Sequence, residues 1–154
     1  MKYYVAYGSN LNVSQMSRRC PDAVPVGTAR IPDYQLLFRG SGSGAYLTVE
    51  PCEGASVPVA IWRVSAADEE RLDRYEGCPR FYYKKHMALR GRSLRDGRWS
   101  RVSAFVYIMH EDRPLGVPAD HYVRACLAGY ENFNFDPAPL LAAVEKSKEV
   151  LYEF

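Results

Sequence analysis

The chain has 154 residues, 47% of them hydrophobic and 25% charged, with a formal net charge of +2. That composition is close to that of an average soluble globular protein, and the length suits a single domain over residues 1–154 that needs neither disulfides nor metal to fold. So balanced a charge points to no particular partner.

The four cysteines, Cys20, Cys52, Cys78 and Cys126, are too scattered for a zinc-type pair and read as free thiols in a reducing compartment. The N-terminus runs straight into a strand-like segment, with no apolar stretch of signal-peptide length. No run approaches the ~18 apolar residues of a membrane span. The expectation is a cytoplasmic protein that does not engage a membrane; its oligomeric state is left open.

Lys2 to Ala6, rich in aromatic and β-branched residues, predicts a strand that Gly8, Ser9 and Asn10 interrupt. Asn12 to Arg19 predicts a short helix capped by Asn12 or Ser14 and stopped at Cys20-Pro21-Asp22. Strand-like pieces between Val26 and Phe38 flank Pro32-Asp33. Gly40-Ser41-Gly42-Ser43-Gly44 reads as a flexible loop, and Tyr46 to Val49 and Val57 to Val64 as two further strands.

Ser65 to Tyr75 is the clearest helix. Ser65 and Asp68 have the form of a capping box, acids crowd the first turn, and Gly77 is a natural stop. Tyr82 to Leu89 and Val102 to Met109 predict a hairpin pair turning at Asp96-Gly97. Ala119 to Ala128 predicts a helix. Asp136-Pro137 opens a last one, which runs toward Leu151 with Leu140, Leu141, Val144 and Leu151 as its apolar stripe. About six strands with helices between them give an α+β domain whose sheet can curl into a barrel.

Three constellations could carry chemistry. At Tyr7-Gly8-Ser9-Asn10-Leu11 a strand ends in a glycine and a helix soon begins. Such a turn can aim several backbone N–H groups at one anion, although an ordinary turn with a Ser/Asn cap has the same spacing. Glu76 lies four residues after Leu72, near the apolar side and at the negative end of its helix. Burial and the dipole would both raise its pKa, as a general base that later acts as an acid requires; a solvated glutamate before a capping glycine looks the same in sequence. The third is a set of tyrosines, Tyr7, Tyr75, Tyr82, Tyr107 and Tyr122, which could orient a ligand or simply fill the core.

His86, His110 and His121 are far apart and suggest no metal site, and no HExxH, P-loop or GxSxG motif occurs. Arg90, Arg92, Arg95, Arg98 and Arg101, near Trp99, form a basic hairpin tip. It reads as a β-edge protected by charge rather than as a nucleic-acid surface.

Taken together, the order of these segments resembles the γ-glutamylcyclotransferase family over roughly residues 3 to 136. Tyr7-Gly8-Ser9-Asn10-Leu11 resembles its opening motif. Leu72-Asp73-Arg74-Tyr75-Glu76-Gly77, followed by Pro79 and Tyr82, resembles the segment whose glutamate is the catalytic acid/base. Tyr46 to Pro51 resembles the strand after the family's glycine-rich loop, and Pro118 to Tyr122 with Gly129-Tyr130 resembles a later helix whose tyrosine faces the ligand. Ala119 stands where members often carry serine, and the glycine-rich segment is short, so the pocket rim departs from the pattern.

The resemblance implies a small mixed barrel with flanking helices. It implies Glu76 as catalytic acid/base and a substrate cradle that draws on Tyr7, Gly8, Ser9, Asn10, Leu11, Tyr82 and Tyr122. The implied reaction converts an L-γ-glutamyl amine or amino acid to 5-oxoproline by attack of its own α-amine, without metal, nucleotide or redox cofactor. The rival reading is a non-catalytic module that binds a γ-glutamyl or carboxylate compound on the same fold. A nucleic-acid-binding domain is a third, for which the near-neutral charge gives little reason.

Overall fold

The computed structural model describes residues 1–41 and 44–152. Five strands, β1 (Lys2–Ala6), β2 (Val24–Ser41), β3 (Gly44–Val64), β4 (Tyr82–Ser93) and β5 (Trp99–Met109), close a barrel in the order β1-β3-β2-β4-β5. The neighbours run antiparallel except where β1 meets β5, in parallel, at Tyr4 and Phe105. Four helices flank it: α1 (Val13–Arg19), α2 (Ala66–Glu76), α3 (Asp120–Asn132) and α4 (Ala138–Lys148). The expected α+β barrel with flanking helices is the fold found.

Strand count and length differ from expectation. The pieces around Pro32-Asp33 are one 18-residue strand, and the two strands expected at 46–49 and 57–64 are one 21-residue strand. A shift in register between Pro32 and Tyr34 absorbs the proline, with Asp33 at φ 58° and its carboxylate accepting from Gly54 N–H at 3.0 Å. The two strands thus resume pairing on either side of an irregularity in which Asp33 and residues 52–55 have no Cα partners. Of the expected Gly40–Gly44 loop, Gly40 and Ser41 end β2 and Gly44 begins β3; residues 42 and 43 lie outside the described residues.

The helices follow their signals more closely. Asn12 caps α1 by accepting from Gln15 N–H at 3.0 Å. Ser65 and Asp68 form the reciprocal capping box of α2, and Gly77 ends it at φ 62° in the left-handed region. Asp136 accepts from Ala138 N–H at 2.9 Å at the start of α4. The stripe expected on α4 is corrected. Leu140, Ala143 and Ser147 are its buried residues, whereas Leu141 and Leu151 are exposed. The α-helix stops at Lys148 and tightens to a 3-10 turn over Glu149–Tyr152, so Leu151 leaves the helical face.

The core fills the barrel with Val5, Phe38, Val59, Trp62, Phe105 and Ile108 and continues under the helices through Met16, Leu72, Cys126 and Leu140. All four cysteines are free. Among the described residues no helix is long and apolar enough to cross a membrane.

Candidate active site

The site forms where β1 runs out. After Ala6 the chain turns through Tyr7 and Gly8 into a 3-10 turn, Ser9–Leu11, in which Leu11 and Asn12 donate to the carbonyls of Gly8 and Ser9, both at 3.0 Å. The N–H groups of Gly8, Ser9 and Asn10 have no partner among the described residues. Helix α3 clamps this turn. A Cβ on Gly129 would sit 2.5 Å from Leu11 Cβ and 2.6 Å from its carbonyl carbon, so only glycine lets the two backbones approach so closely. Asn12 Nδ2 donates to Ala125 O at 3.2 Å, and Val13 N–H to Asn132 Oδ1 at 3.0 Å.

Helix α2 delivers the carboxyl. Its fully buried Leu72 faces the core, and Glu76, one turn later, points the same way. Lys84 of β4 holds the helix in place through Glu69 at 2.6 Å and Asp73 at 3.0 Å, Lys2 adds a second pair to Glu69, and Tyr107 Oη donates to Asp73 Oδ1.

These elements surround an open cavity of about 370 Å³, lined by Tyr4, Tyr7, Gly8, Ser9, Asn10, Tyr46, Leu47, Arg74, Tyr75, Glu76, Gly77, Phe81, Tyr82, Tyr107 and Tyr122. The structure therefore brings together Glu76 and every expected cradle residue but one. Leu11 is fully buried against Gly129 and does not line the cavity. It fixes the turn rather than the ligand.

The tyrosines divide their work. Among the described residues β1 pairs β3 only at Ala60–Val64, and no strand pairs with the other edge of β3 near Leu47. Tyrosines supply the missing partners. Leu47 N–H donates to Tyr122 Oη at 3.1 Å, and Leu47 C=O accepts from Tyr82 Oη at 2.8 Å. Tyr7 Oη donates to Tyr107 C=O at 2.7 Å. The hydroxyls of Tyr7 and Tyr82 are thus committed to backbone carbonyls, whereas that of Tyr122 accepts from Leu47 N–H and lies within reach of the Cys126 thiol, one turn along α3. Burial raises the pKa of Tyr4, Tyr7, Tyr82 and Tyr122, with the nearby Glu76 adding to each shift, so all four are neutral phenols at neutral pH.

Glu76 retains some accessible surface because the cavity is open, yet protein crowds its carboxyl. Burial pushes its pKa up to about 7, and the Arg19 guanidinium tempers the rise. Arg19 does not form an ion pair with Glu76. It stacks 3.6 Å over the Tyr75 ring and donates to Asn10 Oδ1, while Asn10 Nδ2 donates to Tyr4 Oη at 2.9 Å. Ser9 Oγ and Tyr75 Oη lie 3.5 Å apart.

The sequence reading missed Arg19, Tyr4, Tyr46 and Phe81. Tyr46 opens the quoted strand motif without having been assigned to the cradle, and Tyr4 lies in the first strand, so both were within reach. Nothing in the spacing marks Arg19, which arrives from the last turn of a different helix. The histidines take no part: His86 and His121 are exposed, and the His110 ring lies 2.7 Å from Pro79 O. Among the described residues no group of three or more His, Cys, Asp or Glu is placed to hold a metal.

Fold and cavity define a small-barrel protein whose pocket carries a carboxyl able to exchange a proton near neutral pH. Residues 4–124 match the family model described as gamma-glutamyl cyclotransferase, AIG2-like, and the chain belongs to that family. A gamma-glutamylcyclotransferase from Mus musculus is 28% identical over 138 residues, covering 84% of this chain and 70% of that protein. One from Bos taurus is 33% identical over 81 residues, 48% of this chain and 43% of that protein. A solved structure titled gamma-glutamyl cyclotransferase has a TM-score of 0.75 at 22% identity over 96% of this chain and 86% of its own. An uncharacterized protein from Homo sapiens has a TM-score of 0.71 at 23% identity, with the same coverages. At such identities these two structures speak for the fold.

Proposed function

We propose that the chain is a cyclotransferase that converts an L-γ-glutamyl amine or amino acid to 5-oxoproline and the free amine, with Glu76 as general acid/base. The observation that carries this reading is the Glu76 carboxyl, recessed in the cavity with a pKa near 7 and facing the same space as the unpartnered amides of Gly8, Ser9 and Asn10.

The α-ammonium group of the substrate cannot attack, so the Glu76 carboxylate removes one proton. The freed amine adds to the γ-carbonyl carbon, forming the C–N bond of a five-membered ring and an oxyanion. Glu76 passes its proton to the departing nitrogen, takes a second proton from the ring nitrogen, and the old C–N bond breaks as the carbonyl re-forms. The amine picks up that second proton on leaving. Two protons have then moved from the α-nitrogen to the leaving nitrogen, and Glu76 ends as it began.

The amides of Gly8, Ser9 and Asn10 hold the substrate carboxylate or the oxyanion. Losing one such donor typically costs about 2.7–4 kcal/mol of barrier. The O–H of Tyr122, on the cavity wall, is a further donor toward the ligand. Neutral phenols around Glu76 keep a second negative charge out of the cavity.

Incubation with a panel of γ-glutamyl amino acids and γ-glutamyl amines, assayed for 5-oxoproline, tests the reading. A protein that binds these compounds at the cavity and releases no 5-oxoproline from any of them is the non-catalytic binding module instead.

A further inference from the structure

The catalytic cavity leaves the basic hairpin unexplained, and the barrel gives that hairpin a second groove. Thr28, Arg30 and Pro32 of β2, Pro58 of β3, Leu89 and Arg90 of β4, Trp99 of β5 and Phe135 after α3 line a hollow of about 520 Å³. It shares no residue with the cavity around Glu76. Along β4 the nearest lining residues of the two are six residues apart, Tyr82 to Ala88, which is roughly 20 Å of strand.

The charges around this groove are arranged against the stability of the free protein. Arg90 and Arg101 are directly opposite each other on β4 and β5, a like-charge pairing that costs stability. Next to Arg90 on the other side, one step beyond the Ala29–Gly91 pair, stands Arg30 of β2. Three exposed arginines therefore form a row across three neighbouring strands. Arg92, also exposed, pairs with Trp99 in the same sheet.

Among the described residues none of these four arginines is in a salt bridge. Arg30 reaches only the Ser56 hydroxyl, at 3.0 Å, and Arg92 only the Gly97 carbonyl, at 3.3 Å. The nearby Asp96 is engaged by Arg95 and Arg98 at the turn. Trp99 is 54% exposed, with the guanidinium of Arg90 5.2 Å from its ring centroid.

We propose that this face is a docking site for an acidic peptide segment, which seats an apolar side chain in the groove between Pro32, Pro58 and Trp99 and pairs its carboxylates with Arg30, Arg90 and Arg101. Guanidinium forks match carboxylates two bonds at a time, and the apolar floor takes a side chain that a bare polyanion lacks. A peptide is favoured over nucleic acid because the floor is built of proline, leucine and phenylalanine, and because the positive row is short in a chain of net charge +2. The site is independent of the reaction proposed for Glu76.

Trp99 is its own reporter, since the chain's other tryptophan, Trp62, is 1% exposed. The full chain is titrated with the peptide Ac-EEELFEE-amide while tryptophan emission is followed. Saturable change is expected, weakening as salt rises. Affinity should fall at least tenfold in the double variant Arg90→Glu/Arg101→Glu and several-fold in Arg30→Glu. The latter lies on a different strand and serves alone if the double variant does not fold. 5-Oxoproline release from an active γ-glutamyl substrate should be unchanged in each variant that folds.

Equal response to hexaglutamate, which lacks the apolar anchor, overturns the proposal, as does no response to the acidic peptide. Tighter binding of single-stranded oligothymidylate than of the peptide assigns the face to nucleic acid and also overturns it. So does concentration-dependent self-association that disappears in Arg30→Glu, because the occupant is then a second copy.

Discussion

Glutamine in place of Glu76 keeps the shape and hydrogen-bonding reach of the side chain but cannot take up a proton at neutral pH. In the folded protein the carboxyl has a pKa of about 7, against an ordinary value of 4.5. A raised carboxyl pKa means that the folded state binds the proton more tightly than the unfolded chain. The native state is therefore best off at low pH and loses stability as pH rises from about 4.5 through 7. At ~1.4 kcal/mol per pH unit, that gap penalises the native state by about 3 kcal/mol at pH 8 and by less than about 1 kcal/mol at pH 5. Glu76→Gln removes the penalty. Its melting temperature should exceed the parent's by roughly 6–12 °C more at pH 8 than at low pH, taking 2–4 °C per kcal/mol for a chain of this size. Comparing two pH values separates titration from any effect of the amide's shape. Turnover should fall by ~10²–10⁴-fold, the usual contribution of general acid–base catalysis, with ligand binding retained. A melting difference that is the same at pH 5 and pH 8, together with near-parental turnover, would refute both the buried carboxyl and its catalytic role.

Arg19→Met removes the cation that holds the Glu76 pKa down, so the rising limb of kcat/KM against pH, expected near 7, should move alkaline; an unmoved limb shows that Arg19 does not act on Glu76. Tyr122→Phe leaves the N–H of buried Leu47 without its acceptor, a loss of about 1–3 kcal/mol in denaturant unfolding, and KM for an active γ-glutamyl substrate should rise as a cavity-lining O–H goes. Gly129→Ala drives a methyl group into Leu11 and the backbone of Asn12; overpacking costs about 1–3 kcal/mol, and because Leu11 anchors the Gly8–Asn10 turn, turnover should fall along with the melting temperature.

Signals that act over three or four residues were legible in the sequence, and longer-range ones were not. The Ser65/Asp68 capping box, the Asn12 cap and the Gly77 stop are settled by neighbours along the chain, and the helices they bound were found to within a few residues. The long strands were misread because Pro32 and Gly54 punctuate a strand in sequence, whereas the barrel absorbs them in a register shift and a positive-φ glycine. In the site, Glu76, Tyr7, Gly8, Ser9, Asn10, Tyr82 and Tyr122 stood out through motif order. Leu11 was included because it belongs to the same motif, yet a motif can name a residue for packing as well as for contact. Arg19 was invisible because its role depends on where α1 lies beside α2, which no local pattern encodes.

The cavity's chemistry depends as much on where hydroxyls are spent as on where they are present. A pocket ringed by tyrosines has enough O–H groups to solvate a carboxylate, and hydrogen bonds to the charged form would pull the Glu76 pKa back toward its ordinary value. The barrel withdraws part of that supply. Because β1 is only five residues long, the edge of β3 around Leu47 needs partners, and Tyr82 and Tyr122 meet that need while Tyr7 turns to the Tyr107 carbonyl. Tyr107 itself donates to Asp73 outside the reacting space. Arg19, among the described residues the one cation that acts on Glu76, is held back by Tyr75 and Asn10. A direct ion pair there would lower the pKa and remove the proton donor that the proposed reaction needs at neutral pH. The shortness of the first strand and the pKa of Glu76 are thus linked: the unpaired edge that it leaves takes up the Tyr82 hydroxyl proton, one of the donors that would otherwise stabilise the charged form of Glu76.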